Sequence, residues 1–128
     1  MRATPRYTES CIRLLDAVVE GRAAGVTSTA VVEETIHFEL ASQDERLRGM
    51  AGAAYAMFTP LLAVTDEVIQ LALELDAPRI GANDRVHVAT CRVHGVDTIV
   101  TADRGFDSIE ALRRVDPLDT VAVGGLLD

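Results

Sequence analysis

The chain has 128 residues, 48% of them apolar, and carries 20 acidic against 12 basic side chains for a formal net charge of −8. That length suits one ordinary domain spanning 1–128 with a core of its own, and no apolar run approaches the roughly 18 residues that suggest a membrane span. The acidic balance opposes non-specific attraction to phosphate backbones, so a nucleic-acid role needs a local site.

Met1–Arg6 carries charges with no apolar segment behind them, as a secretory leader would have, so a cytoplasmic location and no membrane partner are expected. Two Tyr, three Phe and no Trp leave little from which to build a base-stacking platform. Every cation is Arg, a pattern that either the guanidinium's match to phosphate or a biased codon usage would produce. Cys11 and Cys91 stand far apart in apolar helical patterns and lack disulfide-framework or zinc spacing, which predicts two buried free thiols.

Cys11, Leu14, Leu15 and Val18 recur at helical spacing and predict a helix from about Tyr7 to Glu20, with Gly21 and Gly25 at its exit. Gly25-Val26-Thr27-Ser28 reads as a short strand whose hydroxyls can cap the next helix, carried by Val31, Val32, Thr35, Ile36 and Leu40. Ser42-Gln43-Asp44-Glu45 fits a capping box and predicts one helix over 43–58, which Pro60 stops. Leu61–Val64 reads as a buried strand, and Thr65-Asp66-Glu67 opens a helix through Leu75 with acids in its first turn. His87 and His94 share an apolar helix that starts at Asn83 or Asp84 and ends before Gly95. Thr98–Thr101 is the best strand, followed by a turn at Gly105, a short helix around 109–114 and a closing strand at 120–123. Apolar strands separated by helices imply an α/β chain, with a mostly parallel central sheet covered by helices on both faces.

In open parallel sheets ligands bind beyond the carboxyl ends of the strands. Glu34 lies one turn into the helix after strand 26–28, Asp84 opens the helix leading to strand 98–101, and Asp103 sits two residues past that strand. Clustered carboxylates repel unless a cation offsets them, and hard oxygen donors suit Mg²⁺ or Mn²⁺, so a metal site that polarises a phosphodiester is one reading. Each acid also has a local reading. Asp84 can cap or favour its own helix dipole, Asp103 can be a turn aspartate, and Asp107 with Glu110 makes a D-x-x-E capping pattern. Glu34 is poorly placed to cap and has apolar neighbours, whereas Glu33 points about 100° away, toward solvent. His87 and His94 have no zinc spacing and read as surface or half-buried side chains, His37 reads as a partly buried packing residue, and the glycines match no nucleotide-binding pattern.

Two segments together resemble the PIN-domain family. Val26-Thr27-Ser28-Thr29-Ala30-Val31-Val32-Glu33-Glu34 is similar to the family's stretch in which a strand ending in Thr-Ser precedes a helix bearing a metal-binding Glu. Gly81-Ala82-Asn83-Asp84-Arg85-Val86-His87-Val88-Ala89-Thr90 and His94–Asp107 resemble its most recognisable block. The resemblance runs from Cys11 to Pro117. It implies a PIN-like fold in which Glu34, Asp84 and Asp103 bind Mg²⁺ or Mn²⁺, with Asp107 at a position some members also use. It further implies RNA cleavage by a VapC-like toxin ribonuclease, a homodimer and a cognate antitoxin.

Family members usually begin with a hydrophobic strand ending in Asp-x-Asn or a similar pair, and nothing before Cys11 resembles it. The expectation is therefore an N-terminally incomplete or degenerate PIN-like domain with its first strand and first acid missing. Weak or absent nuclease activity follows, as does a competing reading as a catalytically degenerate interaction and dimerisation module. For the dimer, the helix 43–58 offers Gly49, Gly52, Ala53 and Ala56 for close approach. The metal-site reading requires the carboxylates of Glu34, Asp84 and Asp103 to cluster.

Overall fold

A computed structural model describes residues 5–127, with side chains from Glu9 onward; Met1–Thr4, on which part of the expectation of no secretory leader rests, lies outside the described residues. The chain forms two compact units, Val26–Gly95 and the pair of segments Met1–Gly25 and Val96–Asp128.

The Val26–Gly95 unit is built from four helices. Ser28, 5% exposed, caps α2 (Thr29–Ala41) by accepting the Val31 N–H at 3.2 Å, and Thr65 caps α4 (Asp66–Glu74) by accepting from Val68 at 3.4 Å. These are hydroxyl caps of the kind that satisfy the unpaired amides of a first turn. Helix α2 packs on α3 (Met50–Phe58), and α4 on α5 (Ala82–Val93). Between the last two lies a core of Val68, Ala72 and Ala89, ringed by Val64, Leu71, Val86 and Val93.

The two strands expected in this unit shrink to one parallel bridge, Ser28 with Leu62. The Thr29 N–H donates to the Leu62 carbonyl at 3.0 Å and the Leu62 N–H to Thr27 at 2.9 Å. The ladder stops there because Ser28 is already the cap of α2, and the Val64 N–H donates to the Thr29 hydroxyl at 3.2 Å instead of to a strand partner. Leu61, Leu62 and Val64 are half-buried and Ala63 is exposed, which corrects the expectation of a buried strand.

The single helix expected over 43–58 is also broken. Asp44 caps only a 3-10 turn, Glu45–Leu47, and Gly49 then takes a left-handed φ of 83° before α3 begins. Glycine reaches that region without the steric penalty of a Cβ. The start of α3 is capped from elsewhere: Glu39 of α2 accepts the Ala51 N–H at 2.8 Å.

The other unit begins with α1 (Pro5–Val19). Its exit is a Schellman motif, with the Arg22 N–H on the Ala17 carbonyl at 2.8 Å, the Gly21 N–H on Val18 at 3.1 Å and Gly21 at φ 77°. Strands β1 (Thr98–Val100) and β2 (Arg113–Val115) pair in parallel, Ile99 opposite Arg114. Between them runs a 3-10 turn, Arg104–Ser108.

Two expectations fail here. The segment 109–114 is not helical, because Ala111 adopts a positive φ of 63° and the chain leaves it into β2. The segment 120–123 is helix α6 (Thr120–Gly124), since Asp119 caps it by accepting the Ala122 N–H at 3.0 Å. The alternating Val residues read as strand, but the cap decides. Cys11 is exposed and only Cys91 is partly buried, so the expectation of two buried thiols holds for neither in full.

Candidate active site

Glu34 sits midway along α2 with 48% of its side chain exposed, more solvent than its apolar sequence neighbours implied. Its Oε1 lies 3.3 Å from Nε2 of His87, whose side chain is only 14% exposed on α5. Asp84 occupies the first turn of the same helix, where the helix dipole favours a negative charge. Residues three apart on a helix are neighbours on one face, with Cβ atoms about 5–6 Å apart. The contact with His87 therefore brings the α2 acid against the face of α5 that also carries Asp84. Glu33 is exposed, as its direction on the helix implied.

The approach to Asp84 is organised by Arg85. Its guanidinium donates to three main-chain carbonyls, Leu75 at 2.8 Å, Ala77 at 2.7 Å and Ile80 at 3.2 Å. These tie the segment between α4 and α5 to the first turn of α5, so that Gly81 becomes its N-cap.

Asp103 and Asp107 belong to the other unit. Asp103 is exposed and caps the 3-10 turn, accepting the Gly105 N–H on Oδ1 at 2.8 Å while its own N–H donates to the Thr101 hydroxyl at 3.1 Å. Asp107 pairs with Arg114, through Nε to Oδ1 at 2.8 Å and Nη2 to Oδ2 at 3.4 Å. That hydrogen-bonded guanidinium holds the Asp107 carboxyl below the usual carboxylate range.

A family model for the PIN domain matches residues 5–112. The chain belongs to the PIN domain family. The matched span includes Glu34, Asp84, Asp103 and Asp107. This PIN domain is similar to the VapC ribonuclease Mb1869c of Mycobacterium bovis and to the ribonuclease VapC13 of Mycobacterium tuberculosis. Each is 26% identical over 112 residues, which cover 80% of this chain and 81% of the relative. No solved structure matches the chain significantly.

Glu34 and Asp84 of this PIN domain are carboxylates, the donor type that suits a hard divalent cation. Glu34 and Asp84 share one unit. Within neither unit, among the described residues, do three or more His, Cys, Asp or Glu side chains gather as a ligand set.

His87, Arg85 and Arg114 were not singled out by sequence as functional. For His87 a signal existed: it stands one turn after Asp84 in D-x-x-H spacing, so a partner of Asp84 would meet it. His37 is exposed instead of partly buried, and the exposed His94 ring has Nε2 3.0 Å from the Ala63 carbonyl. Among the described residues no helix is long and apolar enough to cross a membrane.

Proposed function

We propose that this PIN domain is a Mg²⁺- or Mn²⁺-dependent endoribonuclease, the toxin of a toxin–antitoxin pair acting in the cytoplasm. The observation that carries the reading is the contact between Glu34 and His87, which brings an α2 carboxylate to the helix face bearing Asp84 in a chain of this family. The ribonuclease names of both relatives support it.

Glu34 and Asp84 would hold the ion, and the resemblance to the family makes Asp103, three residues past β1, a further acid to test by itself. Asp107 is the weaker candidate, because both of its oxygens face Arg114. When bound, the ion supplies Lewis acidity toward a phosphodiester and offsets the charge of a chain that is otherwise repelled by RNA. His87 holds the Glu34 carboxylate against α5. Arg85 fixes the segment that delivers Asp84.

Incubating the purified chain with structured RNAs and Mg²⁺ or Mn²⁺ is expected to give slow cleavage that chelator stops. Glu34→Gln or Asp84→Asn should reduce the rate by at least about a hundredfold, the order of magnitude lost when a group stabilising developing charge is removed. Undiminished cleavage in chelator or in Asp84→Asn would refute the reading. A cognate antitoxin should co-purify when the neighbouring gene is co-expressed. A homodimer is proposed through α3, where Gly52, Ala53 and Ala56 are exposed. Light scattering that finds only monomer at tens of micromolar removes that part.

A further inference from the structure

Arg114 stands in the middle of β2 with its side chain 13% exposed, yet its hydrogen bonds reach away from its own strand. Nη1 donates to the Thr101 carbonyl at 3.1 Å, Nε and Nη2 donate to the two oxygens of Asp107 at 2.8 and 3.4 Å, and Asp116 Oδ2 lies 3.6 Å from Nη1. Thr101 comes two residues before Asp103 and Asp107 four residues after it. One planar guanidinium therefore brackets the turn carrying Asp103 at both ends.

Among the described residues, the other side-chain hydrogen bonds inside that bracket are short-range. Asp103 is held to Thr101 and Gly105, the Ser108 hydroxyl donates to the Gly105 carbonyl at 2.9 Å, and Phe106 within the turn is 4% exposed. The Thr101 N–H is fixed in turn by the Val115 carbonyl at 3.0 Å. None of these local bonds spans the turn from its first residue to Asp107, and Arg114 does.

We infer that Arg114 and Asp107 form a clamp that positions Asp103, with Asp107 serving as a positioning residue and not as a metal ligand. The inference rests on the reading of Asp103 as an acid of the divalent-cation site. A cation on Asp107 would share oxygens that already accept a fork of two charge-assisted bonds and would sit close to the positive charge of Arg114, which disfavours it. Retaining the fork keeps Arg114 satisfied and the Asp103 turn in one shape.

The experiment titrates the whole chain with Mn²⁺ alone, reading free Mn²⁺ by electron paramagnetic resonance. The variants are Asp103→Asn, Asp107→Asn, Arg114→Met, Arg114→Lys and the double Asp107→Asn/Arg114→Met, with circular dichroism melts defining the folded fraction. Per folded molecule, Asp107→Asn and Arg114→Met should each weaken Mn²⁺ binding about tenfold, as loss of partners that orient ligands does. The double variant should be no weaker than either single one, and Arg114→Lys should recover part of the loss. Arg114→Lys also keeps the test decisive if the Met variant fails to fold. Tighter Mn²⁺ binding in an Arg114 variant would mean that the freed Asp107 is a ligand, and it overturns the proposal. So does unchanged affinity in both single variants while Asp103→Asn loses it. If Asp103→Asn itself titrates like the parent, the cation-site reading of Asp103 falls and takes the clamp's assigned role with it.

Discussion

Replacing Arg85 by Met keeps an unbranched apolar stem in α5 and removes the guanidinium that serves the carbonyls of Leu75, Ala77 and Ile80. Leu75 is the C-cap of α4, whose last carbonyls have no partner within the helix. A charge-assisted hydrogen bond contributes about 1.5–3 kcal/mol, but Arg85 is half-buried and water replaces part of each bond. About 1 kcal/mol per bond gives a loss of about 3 kcal/mol, a substantial share of the roughly 5–15 kcal/mol that holds a domain folded. For a chain of this size that loss corresponds to a fall in Tm of about 10 °C. Calorimetric melts and urea unfolding of the parent, Arg85→Met and Arg85→Lys measure it. The Lys variant should recover at most one of the three bonds and lie between the others. A fall of less than about 3 °C for Met would show that water serves these carbonyls nearly as well, and the reasoning about Arg85 would fail.

Val88, fully buried, should cost about 2 kcal/mol when cut to Ala, for the lost methyl burial plus the cavity, read by the same urea unfolding. Because the folded Asp107 carboxyl is held low by Arg114, its stabilisation is complete above the ordinary carboxylate pKa of about 3.9 and disappears as pH falls through the lower folded value. Parent and Asp107→Asn should therefore differ in stability at neutral pH and converge in strong acid; parallel curves would contradict this. A maleimide should label the exposed Cys11 before the half-buried Cys91, although burial pushes both thiols up, and mass spectrometry of the first adduct checks it.

The sequence is most legible where structure is made locally. The opening of α4 at Asp66, the hydroxyl cap on α2 and the strand at 98–100 follow from caps and periodicity within a few residues. The misses involve partners distant in sequence or a single backbone angle. Strand β2 is three residues, two of them Arg, and exists because β1 pairs with it and because Arg114 reaches Thr101 and Asp107. The break before α3 needs Gly49 at positive φ and a cap lent by Glu39 twelve positions earlier, neither of which periodicity registers. Of the candidate site, Glu34 and Asp103 were nominated as residues after expected strands and Asp84 as the opening of a helix. That Glu34 meets His87 was not, because the contact depends on how α2 lies against α5.

The cap that Glu39 lends to α3 frees the chain between the two helices from one duty. A linker normally has to end on a residue able to satisfy the next helix's first amides, whereas here the amide of Ala51 is served by a side chain from the preceding helix. The exposed stretch around Arg46 and Arg48 has only to span the gap. Lengthening a flexible loop is cheap, about 0.6 kcal/mol for each doubling. The α2–α3 connection is thus a natural port for an inserted epitope or fluorophore-binding peptide, set in a segment that contains none of the four candidate acids.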